Sequence, residues 1–170
     1  SLVAGDSVLF SRGHSFYGSL TLTKSGSAGA PITYGAYGTG NQPIITGFTS
    51  VVGWTNLGAN IWESAAPVST LPTINLVTVN GVNTGMGRWP NSGYNSIVSH
   101  VGSTSITDPL LSGAPNWTES EVVIRSNHWI LDRNKVTSHV GSTLTFIPVS
   151  KYPPKDGFGY FIQNDPRTLD

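Results

Sequence analysis

The first quarter of the chain repeats a short pattern in which apolar strand-like runs alternate with glycine-bearing corners, and this rhythm limits the folds open to it. The runs are Ser7–Ser11 (SVLFS), Ser19–Thr23 (SLTLT), Ile32–Ala36 (ITYGA) and Pro43–Thr46 (PIIT). They restart near Val8, Leu20, Thr33 and Ile44, every eleven to thirteen residues. In SLTLT, Leu20 and Leu22 fall on one face and Ser19, Thr21 and Thr23 on the other, the period of a half-buried strand. Between the runs lie Arg12-Gly13, Ser25-Gly26, Ala28-Gly29-Ala30-Pro31 and Gly38-Thr39-Gly40. Pro31 and Pro43 stand where a strand can open without losing a ladder bond. Regular short strands of this spacing suit either an antiparallel sandwich or a solenoid. The loops are long for tight hairpins, and no Asn-Gly or Asp-Gly joins two runs here, which favours a coil turning three corners per lap.

These residues also carry a resemblance. The order GDSVLFSRG, then GSLTLTKSGSAGAPITYGAYG, then QPIITG resembles the opening coil of right-handed parallel β-helix proteins, the pectate-lyase-like fold of secreted polysaccharide lyases and glycoside hydrolases. It is sharpest over residues 4–47 and fainter at Arg88-Trp89-Pro90-Asn91 and in the tail Gly157–Asp170. The resemblance implies a β-sandwich inserted after the first coil. It also implies a segment like GYFIQN…LD leading back to the helix, with the working residues on later coils. The expected fold class is therefore all-β. It comprises a first coil of a right-handed parallel β-helix over residues 1–49, an antiparallel β-sandwich-like insert over 50–156, and a return strand over 157–170. Val8, Phe10, Leu20, Leu22, Ile32 and Ile45 are the expected interior of the coil.

From residue 48 the glycine-cornered rhythm stops. Leu76–Asn80 alternates, and Asn80-Gly81 is the strongest hairpin signal in the chain. Pairing of Ile74–Val79 with Val82–Met86 is expected. Further strands are expected at Glu121–Arg125, Lys135–Ser138, His128–Leu131, Ser142–Ile147 and Gly159–Asn164. No stretch combines a 3.6-residue period with a cap, so no helix is expected.

Composition narrows the function classes. Lys+Arg and Asp+Glu are 9 each and only 11% of residues are charged, against roughly 25% in average domains. A nucleic-acid partner calls for a basic field, which is missing. No apolar run reaches the length of a membrane span. Without cysteine, no thiol ligand or disulfide exists. His100, His128 and His139 lack metal-binding spacing, and no cofactor or metal motif is present. Ser1 and the Arg167–Asp170 end read as a cut or processed chain.

Three residues are candidates for holding a sugar: Arg88, Trp89 and Trp54. An indole face can stack on a sugar ring, and an arginine can pair with a carboxylate or hydroxyls. The competing reading puts Trp89 in a core and Arg88 on main-chain carbonyls at a domain junction. Asp6 and His14 read as turn residues. Glu119 and Glu121 are the only closely spaced carboxylates; on a strand they would share a face, with Glu121 read as a solvated edge charge. Asn116-Trp117-Thr118 is a formal glycosylation sequon.

The function expected from the resemblance is an N-terminal fragment of a secreted or cell-surface carbohydrate-active protein, of hydrolase or lyase type, inactive alone. Its expected partners are a polysaccharide and the remainder of the β-helix chain, with no nucleic acid and no membrane span. The alternative is a non-catalytic carbohydrate-binding, adhesin-like or structural β-domain, for which five Trp and six Tyr supply stacking surface.

Overall fold

The computed structural model describes residues 1–65, 74, 76–113 and 115–169. The chain is all-β and forms two units, Ser1–Pro72 and Thr73–Asp170.

The first unit contains β1 (Ser7–Ser11), β2 (Ser15–Tyr17), β3 (Thr33–Tyr37), β4 (Ile44–Thr46), β5 (Trp54–Gly58) and β6 (Ile61–Ser64). β1 pairs with β3 in parallel, from Ser7↔Thr33 to Ser11↔Tyr37. β2 pairs with β4 in parallel, from Ser15↔Ile44 to Tyr17↔Thr46. Main-chain bonds carry the ladder round the corner: Arg12 N–H donates to Tyr37 O, Gly13 N–H to Asn41 O and Ile44 N–H to His14 O. β5 and β6 form an antiparallel hairpin. Phe10 and Phe16 meet edge to face, 5.1 Å between centroids.

Two expectations fail here. Ser19–Thr23 is not a strand; Ser15–Tyr17 takes its place, because β4 offers that segment a partner ladder and alternation alone supplies none. Leu20, Leu22 and Ile45 are consequently exposed, whereas Val8, Phe10 and Ile32 are half-buried. No described residue among 1–65 is fully buried. Parallel pairs normally lie under cover on both faces; here the described residues are held by their backbone ladders with none of them fully buried.

The second unit holds β7 (Val77–Val79), β8 (Val82–Thr84), β9 (Arg88–Trp89), β10 (Asn95–Ser96), β11 (Ser99–Val101), β12 (Ser105–Thr107), β13 (Glu121–Arg125), β14 (Leu131–Val140), β15 (Thr143–Ile147) and β16 (Gly159–Gln163). β7 and β8 make the expected hairpin, shorter than foreseen and with residue 75 outside the described residues. Asn80 and Gly81 turn it with φ of 53° and 78°, the two positive values of a type I′ turn.

The remaining strands form one antiparallel sheet in the order β10-β16-β13-β14-β15-β12-β11, with β9 also on β16. The two ends of that order are one stretch of chain. β10 pairs with β16, β11 pairs with β12, and between them Ile97 N–H donates to Phe158 O while Val98 N–H donates to Thr107 O. The sheet thus closes on itself. Pairing therefore runs on from one end of the strand order to the other through residues 95–101.

Its interior is Ile97, Ile106, Leu111, Trp117, Val122, Ile124, Val136, Leu144, Phe146, Tyr160 and Ile162, all buried. The alternation of β14 points Asp132, Asn134 and Val136 inward. A short 3-10 turn, Pro109–Leu111, capped by Asp108, adds Leu111 to that core. A second such turn, Pro166–Thr168, is capped by Asp165.

The β5–β6 hairpin belongs to the first unit, and Gly159–Gln163, expected as a return strand, lies between β13 and the β9–β10 segment in the second. A run of four buried residues in β16 (YFIQ) reflects pairing on both sides.

Candidate functional site

Arg88 and Trp89 sit together on β9, in register with Gln163 and Ile162 of β16. β9 and β10 pair with the same side of β16, and residues 90–94 loop out between them after the cis Trp89–Pro90 bond. Arg88 ties that loop down: Nε donates to Pro90 O at 3.0 Å and NH2 donates to Gly93 O. Its guanidinium lies 4.0 Å from the Phe161 ring centroid and 5.6 Å from that of Tyr94. Gly159 makes room for this stack, since a Cβ there would come within 2.7 Å of the Tyr94 side chain. Trp89 is half-buried against the core, its ring 5.7 Å from Trp117, and Arg167 lies over the Trp117 ring at 5.3 Å. The pair that the sequence offers as sugar contacts is therefore engaged with its own fold.

Trp54 lies in the other unit, on β5. Trp54 pairs with Ser64 and Asn56 with Trp62. Directly opposed residues, and those two apart on a strand, share a face, so Trp54, Asn56, Trp62 and Ser64 line one side of the hairpin. The two indoles are 54% and 52% exposed. Trp62 was not singled out by the sequence; only the β5–β6 register brings it to Trp54.

Most of the described carboxylates are bonded within the fold. Glu121 is 8% exposed, not the solvated edge charge expected, because β13 is paired on both sides. Its Oε2 accepts from Arg133 Nε at 2.8 Å and from Gln163 Nε2 at 2.5 Å. Glu119 lies outside the strand with φ of 73° and pairs with Lys135 at 2.6 Å. Buried Asp132 accepts from Ser126 Oγ at 2.5 Å and Ser150 Oγ at 2.7 Å. Asp108 caps Leu110 and accepts from the Tyr160 hydroxyl at 2.7 Å. Burial, reinforced by Asp108, pushes the Tyr160 phenol well above its usual range. Asp165 is held below the usual carboxylate range, chiefly by the hydrogen bond from Arg167. Asp6 accepts from Val3 N–H at 2.7 Å, the turn role expected of it. Among the described residues no group of three His, Asp or Glu side chains could hold a metal ion. The histidines have local roles. His139 accepts from Trp117 N–H through Nδ1, and His100 bonds Asp156 at 2.7 Å.

One aromatic stands apart. Trp129 is 91% exposed, in the turn between β13 and β14. His128–Leu131 was expected to be a strand. Instead Asn127 Oδ1 accepts from Trp129 N–H at 2.8 Å and closes a side-chain turn. The Ser-Asn dipeptide before His128 was the available signal.

No family model and no curated protein matches the chain. A solved structure described as "Glycoside hydrolase" does match, with a TM-score of 0.72 and 14% identity. The fold of this chain is similar to part of that glycoside hydrolase. The match covers 98% of this chain and 33% of the other, so the chain spans about a third of that protein's length. At this identity the likeness concerns the fold.

Proposed function

We propose that the chain is the N-terminal part of a secreted or cell-surface carbohydrate-active β-helix protein, of glycoside hydrolase or polysaccharide lyase type. In this reading the first unit begins a right-handed parallel β-helix, and the remainder of the protein stacks further coils on β1–β4. The observation that carries it is a mismatch: two parallel strand pairs without one fully buried described residue in their unit. Repeat architectures bury their faces on neighbouring repeats, and about three or more are needed for stability. Likeness to a third of a glycoside hydrolase supports the same reading.

The chain's own contribution is to bind glycan rather than to cut it. Glycoside hydrolysis needs two carboxylates facing the bond, and elimination needs a base with charge neutralisation at a uronate. Each described carboxylate of the second unit is bonded to other side chains or to the main chain, and no two of them face a common partner. Trp54 with Trp62 supplies a stacking face. A second reading, a non-catalytic binding or adhesin-like domain, is favoured by the complete core of the second unit, which needs no further coils. Electrophoresis of the 170-residue chain through gels holding polygalacturonate, xylan, alginate or chondroitin sulfate tests glycan binding. Retardation by at least one polymer is expected; unchanged mobility in all four rejects the proposal.

A further inference from the structure

We propose that His139 is an acid-sensitive clasp in the second unit: the neutral ring holds the main chain at Trp117, and a ring that takes a proton lets that segment go.

Ser-His-Val-Gly-Ser-Thr occurs twice in the chain, at residues 99–104 and 138–143. Each copy turns a hairpin, β11–β12 and β14–β15, with Gly102 and Gly141 at φ of 57° and 58°. β12 pairs with β15, so the two hairpins lie side by side in one sheet. Their histidines meet opposite partners. His100 Nδ1 stands 2.7 Å from a carboxylate oxygen of Asp156, so this ring donates. His139 Nδ1 stands 3.1 Å from the main-chain N–H of Trp117, so this ring accepts. His139 Nε2 lies 3.0 Å from Gly141 O, which can only accept. The hydrogen therefore sits on Nε2 and Nδ1 presents a lone pair. One tautomer of His139 satisfies both partners, and the doubly protonated ring cannot, because both its nitrogens are donors.

The bond fixes a segment that reaches the core. Trp117 is 1% exposed, and its ring lies 5.7 Å from Trp89. The far end of the segment is laced to β14 by main-chain bonds, Glu119 N–H to Val136 O and Val136 N–H to Ser120 O. At the near end the Trp117 N–H relies on His139. A proton on Nδ1 would set one N–H against another and leave the Trp117 donor without its acceptor. A proton gained by His100 leaves its bond to Asp156 in place, since that ring is already the donor.

The charged groups on the elements around His139 are few. β15, which pairs His139 with Leu144, carries no titratable residue. Glu119 and Lys135 form an ion pair at 2.6 Å. Asp108 donates its main-chain N–H to Ser142 O beside the tip, and Arg167, paired with Asp165, lies over the Trp117 ring. Among the described residues none of them forms an ion pair with His139. The unfolded chain can protonate His139 freely, whereas the folded chain must give up the Trp117 bond to do so. Stability rises with pH wherever the unfolded state binds more protons. The clasp's contribution is thus present at about pH 7.5 and is lost as pH falls towards about 5, the range in which histidine titrates.

The test uses the whole chain. Nitrogen-15 spectra of the imidazoles report the tautomer, amide exchange reports the Trp117 N–H, and denaturant unfolding compares wild type with His139→Asn. Asparagine offers an acceptor oxygen near the place of Nδ1 and does not titrate. At pH 7.5 His139 should show an unprotonated Nδ1 and a protonated Nε2. At pH 5 the Trp117 amide should lose about tenfold in protection relative to the Glu119 amide. Over the same interval the unfolding constant of the wild type should rise about tenfold more than that of His139→Asn. A protonated Nδ1 at pH 7.5 overturns the proposal. So does undiminished protection of the Trp117 amide once the His139 resonances report the charged ring, and so do parallel pH profiles for the two chains. Should His139→Asn fail to fold, the spectra and the exchange of the unaltered chain decide by themselves.

Discussion

Replacing Arg88 with alanine separates a structural arginine from a sugar-binding one. In the folded chain its guanidinium donates to the carbonyls of Pro90 and Gly93 and lies over Phe161. A hydrogen bond from a charged donor contributes roughly 1.5–3 kcal/mol. Water reaching this largely exposed loop would recover part of that for the freed carbonyls. Contact with the Phe161 face adds about 1 kcal/mol. The net loss should be about 3 kcal/mol. In a domain the size of the second unit each kcal/mol moves Tm by roughly 4–8 °C, so Arg88→Ala should lower Tm by roughly 12–24 °C. Arg88→Lys should recover little, since an ammonium is a point charge and cannot bridge both carbonyls. Thermal unfolding of the full chain, followed by near-ultraviolet circular dichroism, measures this. An unchanged Tm together with weakened glycan affinity would refute the reasoning and return Arg88 to the role of a ligand contact.

Two further outcomes follow from the same unit. Tyr160→Phe removes the buried hydroxyl bond to Asp108 and should cost about 1–3 kcal/mol in denaturant unfolding; a loss near zero would mean that the Asp108 cap alone satisfies the carboxylate. Asp165 has its folded-state pKa lowered beneath its ordinary value of 3.8. Its contribution to stability is therefore present above about pH 4 and is lost as pH falls through the folded-state value. Asp165→Asn should flatten this part of the acid-unfolding profile, and an identical profile in the variant would contradict the assignment.

What the sequence makes legible depends on how local the signal is. Asn80-Gly81 is read correctly because a type I′ turn demands positive φ at two adjacent positions, a requirement of those residues alone. Ser7–Ser11 and the GYFIQN strand are legible for similar reasons. Ser19–Thr23 misleads because its alternation matches a strand while the partner ladder runs through Ser15–Tyr17 instead. Closure of the β10–β16 ring is not legible, since it depends on one segment, residues 95–101, pairing with strands on two sides. Glu121 looks like an edge charge until β13 is known to be central. The aromatic candidates follow the same rule. Trp89 and Trp129 cannot be told apart by composition. The first is anchored by β16 and Trp117, and the second is lifted out by a turn that Asn127 closes.

The most direct test of the central claim is a cleavage assay of the full-length product of the native gene beside the 170-residue chain, against pectin, xylan, alginate and chondroitin. The account predicts that the full-length product releases reducing ends or unsaturated products from at least one polymer, and that the 170-residue chain releases none. Cleavage by the 170-residue chain that is abolished by Glu121→Gln, or no cleavage by the full-length product, would contradict it.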